Sequence, residues 1–252
     1  MAAKKKYLYG RYAFRTDIGK VRLTNEDRAI ALTNTRGNIL LVVCDGMGGQ
    51  NKGDLASTLA VETITQAFQE KDRFPNKFFA KTWVSKVIRK ANSDIFRQAS
   101  GNLMYQGMGT TITLVLIVND YMVIAQAGDS RAYSYRNRSM EQITEDQTYV
   151  QYLYRIGEIT EEEIATHPKR HVLMNALGIY PSLDIEIKTR PYLGDTILVC
   201  SDGLYNNVAK KDIFSILKSS DTPDQKVNEL ISLANMNGGS DNIAAVIWEA
   251  NE

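Results

Sequence analysis

Four aspartates in this chain stand where apolar runs meet glycines. Asp45 follows the run Asn38-Ile39-Leu40-Leu41-Val42-Val43-Cys44 and opens Asp45-Gly46-Met47-Gly48-Gly49. Asp202 follows Thr196–Cys200 and opens Asp202-Gly203-Leu204, and Asp241 sits in Gly238-Gly239-Ser240-Asp241-Asn242 just before Ile243–Trp248. Asp129 follows Tyr121–Ala127 in Gly128-Asp129-Ser130-Arg131. Carboxylates at the ends of neighbouring strands can converge, and an adjacent glycine lets the backbone come close enough for a carbonyl or a water to fill a coordination place. An oxygen-only donor set suits hard cations such as Mg²⁺ and Mn²⁺. The only histidines are His167 and His171, and the two cysteines, Cys44 and Cys200, lie in apolar runs, so a zinc site is poorly supported. Converging carboxylates without cations would repel and raise one another's pKa. A single Asp-Gly is most often a turn, and Asp129-Ser130-Arg131 alone could be a local surface ion pair. The weight comes from four such places in one chain.

A second polar cluster is Thr16-Asp17-Ile18-Gly19-Lys20-Val21-Arg22-Leu23-Thr24-Asn25-Glu26-Asp27. A guanidinium such as that of Arg22 forks onto phosphate oxygens, and Glu26 and Asp27 could orient it or hold metal-bound water. By itself the cluster reads more readily as a charged loop than as a site.

The elements that must position these groups follow from hydropathy patterning. Short apolar runs bounded by turn residues predict strands at 38–44, 110–118, 121–127, 184–189, 196–200 and 243–248. Asn119-Asp120 is a two-residue connection, which requires an antiparallel pair. Apolar stripes at helical spacing predict helices over 54–71 and 76–97, with shorter ones near 211–217 and 222–234. Strands before and after helix pairs, without strict alternation, predict an α+β fold with an antiparallel β core covered by helices. The segment from about Thr144 to Gly178 is polar, carries a capping box at Thr160-Glu161-Glu162-Glu163, and is expected to sit outside the strands as a flap.

The chain has 252 residues, 44% hydrophobic and 23% charged, which suits a single domain over 1–252 with its own core. Thirty basic against 29 acidic residues, a net charge of +1, give no electrostatic case for a nucleic-acid or membrane binder. Lys4, Lys5 and Lys6 read as a solvated tail. No apolar stretch reaches membrane-spanning length, and no apolar segment of a signal peptide follows the basic start, so a cytoplasmic protein with reduced thiols is expected.

Taken together, Arg22-Leu23-Thr24-Asn25-Glu26-Asp27, Asp45-Gly46-Met47-Gly48-Gly49, Gly109-Thr110-Thr111, Gly128-Asp129-Ser130-Arg131, Ser201-Asp202-Gly203 and Ser240-Asp241-Asn242 make the chain resemble the bacterial metal-dependent PPM, or PP2C-type, serine/threonine protein phosphatases, from about Thr16 to Glu249. The resemblance implies a β-sandwich flanked by pairs of helices, with a flap subdomain at about 144–178 and two Mn²⁺ or Mg²⁺ ions at one end. It implies that Asp45 bridges the metals, the Gly46 carbonyl serves one, and Asp202 and Asp241 serve the other. Bacterial relatives often hold a third, weaker ion, whose ligand Asp129 matches together with Asp202. Arg22 matches the substrate phosphate-binding residue, and Glu26 and Asp27 match positions holding metal-bound waters. The implied reaction is hydrolysis of phosphoserine and phosphothreonine by in-line attack of a water or hydroxide bridging the metals. Phosphoproteins, substrates of a cognate Ser/Thr kinase, are the expected partners of a monomeric chain.

Two departures stand out. Relatives often carry histidine inside or just after the first metal motif, where this chain has Met47 and Gln50, neither able to serve as a general acid. Gln147 replaces a histidine common in the flap. A phosphatase-like sensor or binding domain without turnover is the alternative from another class, and a phosphohydrolase of small molecules is a third.

Overall fold

The computed structural model describes residues 9–48 and 52–251. Lys4, Lys5, Lys6, Gly49 and Gln50 lie outside the described residues. One sheet has the order β1-β11-β10-β7-β8, formed by β1 (Gly10–Asp17), β7 (Arg131–Arg136), β8 (Ser139–Gln142), β10 (Thr196–Cys200) and β11 (Ile243–Ala250). The other has the order β2-β3-β5-β6-β9, formed by β2 (Asp27–Thr33), β3 (Ile39–Met47), β5 (Ile112–Val118), β6 (Tyr121–Ala127) and β9 (Glu186–Pro191). The two-residue β4 (Gly109–Thr110) pairs with the end of β3. Every pairing is antiparallel, as the hairpin-length connections require.

Three cores separate four layers. Ile39, Leu41, Val43, Val115, Ile197, Val199, Val246 and Trp248 interdigitate between the sheets. The alternate residues Leu40, Val42, Cys44, Leu114 and Leu116 face α1 (Lys52–Gln69) and α2 (Lys77–Gly101) through Ala60, Ile64, Phe68, Val84 and Ile88. On the opposite side Leu198, Cys200, Ala245 and Ile247 pack under α6 (Lys210–Lys218) and α7 (Pro223–Met236). Central strands are thus buried on both faces, and their sequences are unbroken apolar runs instead of alternating ones. Cys44 and Cys200 are free and buried in different cores.

The predicted strands and helices are present with ends shifted by a few residues. Predicted strand 110–118 is divided into β4 and β5, and 184–189 is shifted to Glu186–Pro191. Asn119 takes a left-handed φ of 53° at the tight turn between β5 and β6. Strands β1, β2, β7 and β8 were not predicted. Their exposed or charged outer positions, such as Arg11, Tyr12, Phe14 and Arg15 in β1, break the apolar signal.

Residues 144–178 hold two short helices, α3 (Tyr149–Arg155) and α4 (Glu161–Thr166). In the latter the Thr160 N–H donates to Glu163 Oε2 at 2.7 Å. The segment touches the sheet-bearing part through bridges at Leu177 to Thr110, and it closes on itself through Thr148 and Leu173. Between β10 and α6 runs the one-turn α5 (Asp202–Tyr205). No helix among the described residues is long and apolar enough to cross a membrane.

Candidate metal and phosphate site

The sandwich brings the aspartates to one end. Asp45 was expected just after its strand, but it lies inside β3, which continues to Met47 because β2 and β4 pair with it there. Its direct cross-strand partner is Asp27, the first residue of β2. Asp129 follows β6, Asp202 opens α5, and Asp241 stands two residues before β11. All four predicted metal-ligating aspartates, with Arg22, Glu26 and Gly46, line a single open cleft of about 1640 Å³.

The backbone of Asp45 is pinned from both sides. Its N–H donates to Thr111 Oγ1 at 3.0 Å, and its carbonyl accepts from the Thr111 N–H at 2.8 Å and from Thr110 Oγ1 at 2.9 Å. The Thr111 and Ser130 hydroxyls share a 2.8 Å hydrogen bond, tying this strand end to the turn that carries Asp129. The motif Gly109-Thr110-Thr111 therefore braces the site without contributing a ligand. At Gly46 any side chain is excluded, because a Cβ would stand 2.2 Å from the Gly53 carbonyl oxygen at the start of α1. That contact brings the Gly46 backbone and the first turn of α1 together, where the Gly53 N–H donates to Glu26 Oε1 at 3.2 Å. Glu26 is thus partly engaged in holding the helix end.

Asn242 joins the Arg22 loop to the Asp241 turn. Its Oδ1 accepts from the Glu26 N–H at 2.9 Å, and its Nδ2 donates to the carbonyls of Ile18 and Thr24, both at 2.9 Å. Arg22 itself is half-exposed, with Nη2 on Asp241 Oδ2 at 2.7 Å. The guanidinium lies across one carboxylate of the cluster and faces the cleft.

The electrostatics follow from burial and crowding. Asp27 is buried, and Ser201 Oγ, itself accepting from the Ala244 N–H at 2.8 Å, donates to its Oδ2 at 2.6 Å. Asp27 Oδ1 has no donor. Burial first, then neighbouring carboxylates, push Asp27 up to about 7, Asp129 up to about 8 and Asp202 up to about 6. Asp45 is raised well above the carboxylate range for the same reasons.

An orphaned buried carboxylate oxygen, four carboxyls raised by burial and then by one another's charge, and an all-oxygen donor set fit a hard divalent cation. Among the described residues no three His, Cys, Asp or Glu side chains are oriented onto one point as a ready ligand group.

The raised carboxyls set a pH dependence. A carboxyl whose folded pKa exceeds its unfolded value favours the fold below the unfolded pKa, and this contribution is lost as pH rises through the folded one. The shifts of Asp27, Asp129 and Asp202 place that loss between about pH 4 and about pH 8. In chelator, the melting temperature is expected to fall between pH 5 and pH 8.5 by on the order of 5 °C, from a few kcal/mol in a chain of this size. Millimolar Mn²⁺ is expected to reverse the trend. A flat or rising profile in chelator, measured by thermal denaturation, would contradict the assigned crowding.

Three residues outside the predicted set bear on the site, and two of them, His171 and Met47, line the cleft. His171 Nδ1 stands 4.0 Å from Asp202 Oδ2. Burial and Arg170 lower its pKa, which leaves a largely neutral imidazole at pH 7. Met47 lines the cleft and offers only a thioether. Gln147, where relatives often carry histidine, is turned to the scaffold. Its Oε1 accepts from the Gly128 N–H at 3.2 Å and from Asn175 Nδ2 at 2.8 Å.

The profile of the Protein phosphatase 2C family matches residues 20–235. Serine/threonine phosphatase stp of Listeria innocua is 38% identical over 239 residues, covering 94% of this chain and 95% of that protein. The crystal structure of serine/threonine phosphatase Stp1 from Staphylococcus aureus superposes with a TM-score of 0.90 at 32% identity, covering 96% of each chain. The catalytic domain of the serine/threonine protein phosphatase PstP, solved with two manganese ions, gives a TM-score of 0.84 at 32% identity, covering 96% of this chain and 99% of that one. The shared architecture extends over both sheets and both helix pairs, and this chain belongs to the protein phosphatase 2C family.

Proposed function

We propose that the chain is a metal-dependent protein phosphatase that hydrolyses phosphoserine and phosphothreonine in proteins modified by a cognate kinase. The observation that carries this reading is the convergence of Asp45, Asp129, Asp202 and Asp241 with Arg22 in one open cleft. Asp45 would bridge two cations, with the Gly46 carbonyl on one side and Asp202 and Asp241 on the other. Asp129 with Asp202 suits a third, weaker ion. Manganese in the PstP crystal structure favours Mn²⁺, and Mg²⁺ accepts the same donors. Bound cations would lower the pKa of water and offset charge on the phosphoryl oxygens. Arg22 would fork onto the phosphate and orient it, Asp27 and Glu26 would accept hydrogen bonds from ordered water, and Asn242 would hold the Arg22 loop in register with Asp241.

The size of the cleft, about 1640 Å³, exceeds the roughly 300–1,000 Å³ of small-molecule pockets and favours a polypeptide substrate. The presence of all the metal-ligating aspartates argues against a sensor without turnover. Phosphate release from a phosphothreonine peptide, assayed beside nucleotide and sugar phosphates, tests the reading. Mn²⁺-dependent release abolished by chelator, with the peptide preferred, is expected. Release that persists in excess chelator, or preference for a small phosphate, would overturn it.

Neither Met47 nor Gln50, where relatives often carry histidine, can protonate the leaving group, so that task falls to water or another group and turnover of poor leaving groups is expected to be limited at that step. Gln50→His is expected to raise turnover on the phosphopeptide by about a hundredfold, the lower end of the range for general acids, and to change p-nitrophenyl phosphate hydrolysis much less. Equal rates and pH profiles for the two enzymes on the peptide would contradict this.

A further inference from the structure

Arg131 closes the motif Gly128-Asp129-Ser130-Arg131 and lines the cleft, and each of its three guanidinium nitrogens is bonded to protein. Its Nε donates to Asp146 Oδ1 at 2.9 Å and Oδ2 at 3.1 Å, and its Nη2 to Asp146 Oδ2 at 2.6 Å. The third nitrogen, Nη1, reaches the Tyr133 hydroxyl at 3.3 Å. One face of the guanidinium stacks on Tyr205, with Cζ 3.5 Å from the ring centroid. Asp146 also accepts from Gln142 Nε2 at 3.2 Å, and the pair is largely buried, with 26% and 14% of the two side chains exposed. A planar fork held at both ends and stacked in this way is pre-organised on its protein partners.

The partners lie on three separate parts of the site. Asp146 stands at the root of the 144–178 segment. Tyr205 ends α5, the turn that begins with Asp202, and its hydroxyl donates to the Asp129 carbonyl at 3.1 Å. Arg131 itself begins β7, two residues beyond Asp129. A single guanidinium therefore fixes the segment's root, the Asp129 turn and the Asp202 turn relative to one another. Gln147 adds a parallel tie from the same root to Gly128.

We propose that Arg131 is a positioning residue that locks the root of the 144–178 segment to the Asp129 and Asp202 side of the cleft, coupling the placement of that segment to cation binding there. The coupling to cations rests on the function proposed above, whereas the lock on the segment does not.

The test is Arg131→Lys, which keeps the charge and loses the fork and the stack. Amide hydrogen exchange over 146–178, measured in chelator, is expected to accelerate about tenfold while exchange in α1 and α2 is unchanged. The Mn²⁺ concentration for half-maximal activity is expected to rise about tenfold, while KM for the phosphopeptide at saturating Mn²⁺ moves less than threefold. Asp146→Asn breaks the same pair from the other side and is expected to reproduce both effects if Arg131→Lys does not fold. Tyr205→Phe keeps the stack and is expected to leave exchange over 146–178 at the wild-type rate. Unchanged exchange over 146–178 in both pair-breaking variants, or equal acceleration in α1 and α2, would overturn the proposed lock. Accelerated exchange with an unmoved Mn²⁺ requirement would overturn only the coupling.

Discussion

Asp202→Asn is expected to lower metal-dependent phosphate release by about a thousandfold or more while leaving the metal-free fold at least as stable as the wild type. The two halves of this expectation have one physical origin. Asp202 sits among carboxylates that burial and repulsion raise above their ordinary range, with Asp241 the leading charged neighbour. Removing its charge relieves that repulsion in the metal-free chain. Asparagine retains the shape, and an amide oxygen in the place of Oδ2 can still accept from Asn206 Nδ2, now at 3.1 Å, so the first turn of α5 survives. The same change would remove a negative ligand from the proposed cation site, where charge stabilisation is worth several kcal/mol in the transition state, or roughly three powers of ten in rate. A variant that loses activity by unfolding would show a lower melting temperature in chelator. A variant with full metal-dependent activity would remove Asp202 from the site.

Arg22→Ala is expected to raise KM for a phosphopeptide and to lower kcat/KM by about 10–150-fold, the range corresponding to loss of a charged hydrogen-bonding partner worth roughly 1.5–3 kcal/mol. Its ion pair with Asp241 is half-exposed on the arginine side, so the substitution is expected to cost little stability. Arg22→Lys is expected to recover only part of the loss, because an ammonium cannot fork across two phosphate oxygens. A wild-type KM in Arg22→Ala would remove the assigned role.

Much of this protein could be read before its structure, for physical reasons visible in particular residues. Strands β3, β5 and β6 are legible because helices cover one face and the second sheet the other, leaving unbroken apolar runs. The stripes of α1 and α2 are legible because one helix face is buried and the other solvated. Three of the four edge strands, β1, β2 and β8, were lost where burial is partial. β8 reads Ser139-Met140-Glu141-Gln142, and β2 begins inside the acidic cluster at Asp27. Aspartates beside glycines at strand ends marked the site.

The supports of the site were hidden because they act across long stretches of chain. Asn242 reaches Glu26 and Thr24, Ser201 reaches Asp27, and Thr111 reaches Asp45. Their one sequence trace is adjacency to motif aspartates or membership of Gly109-Thr110-Thr111. Arg131 read as a local ion pair, but its partner Asp146 lies 15 residues away, and only the fold brings the root of the 144–178 segment back to β7. His171 carried no signal, because nothing in its surroundings points towards Asp202.

The central claim is that Asp45, Asp202 and Asp241 hold the cations on which hydrolysis depends. Equilibrium dialysis against Mn²⁺ tests it without reference to substrate. The wild-type chain is expected to bind at least two Mn²⁺ ions, and Asp45→Asn, which removes the proposed bridge, to bind fewer and more weakly. No Mn²⁺ bound at millimolar concentration, or the same number bound with the same affinity by Asp45→Asn, would contradict the account.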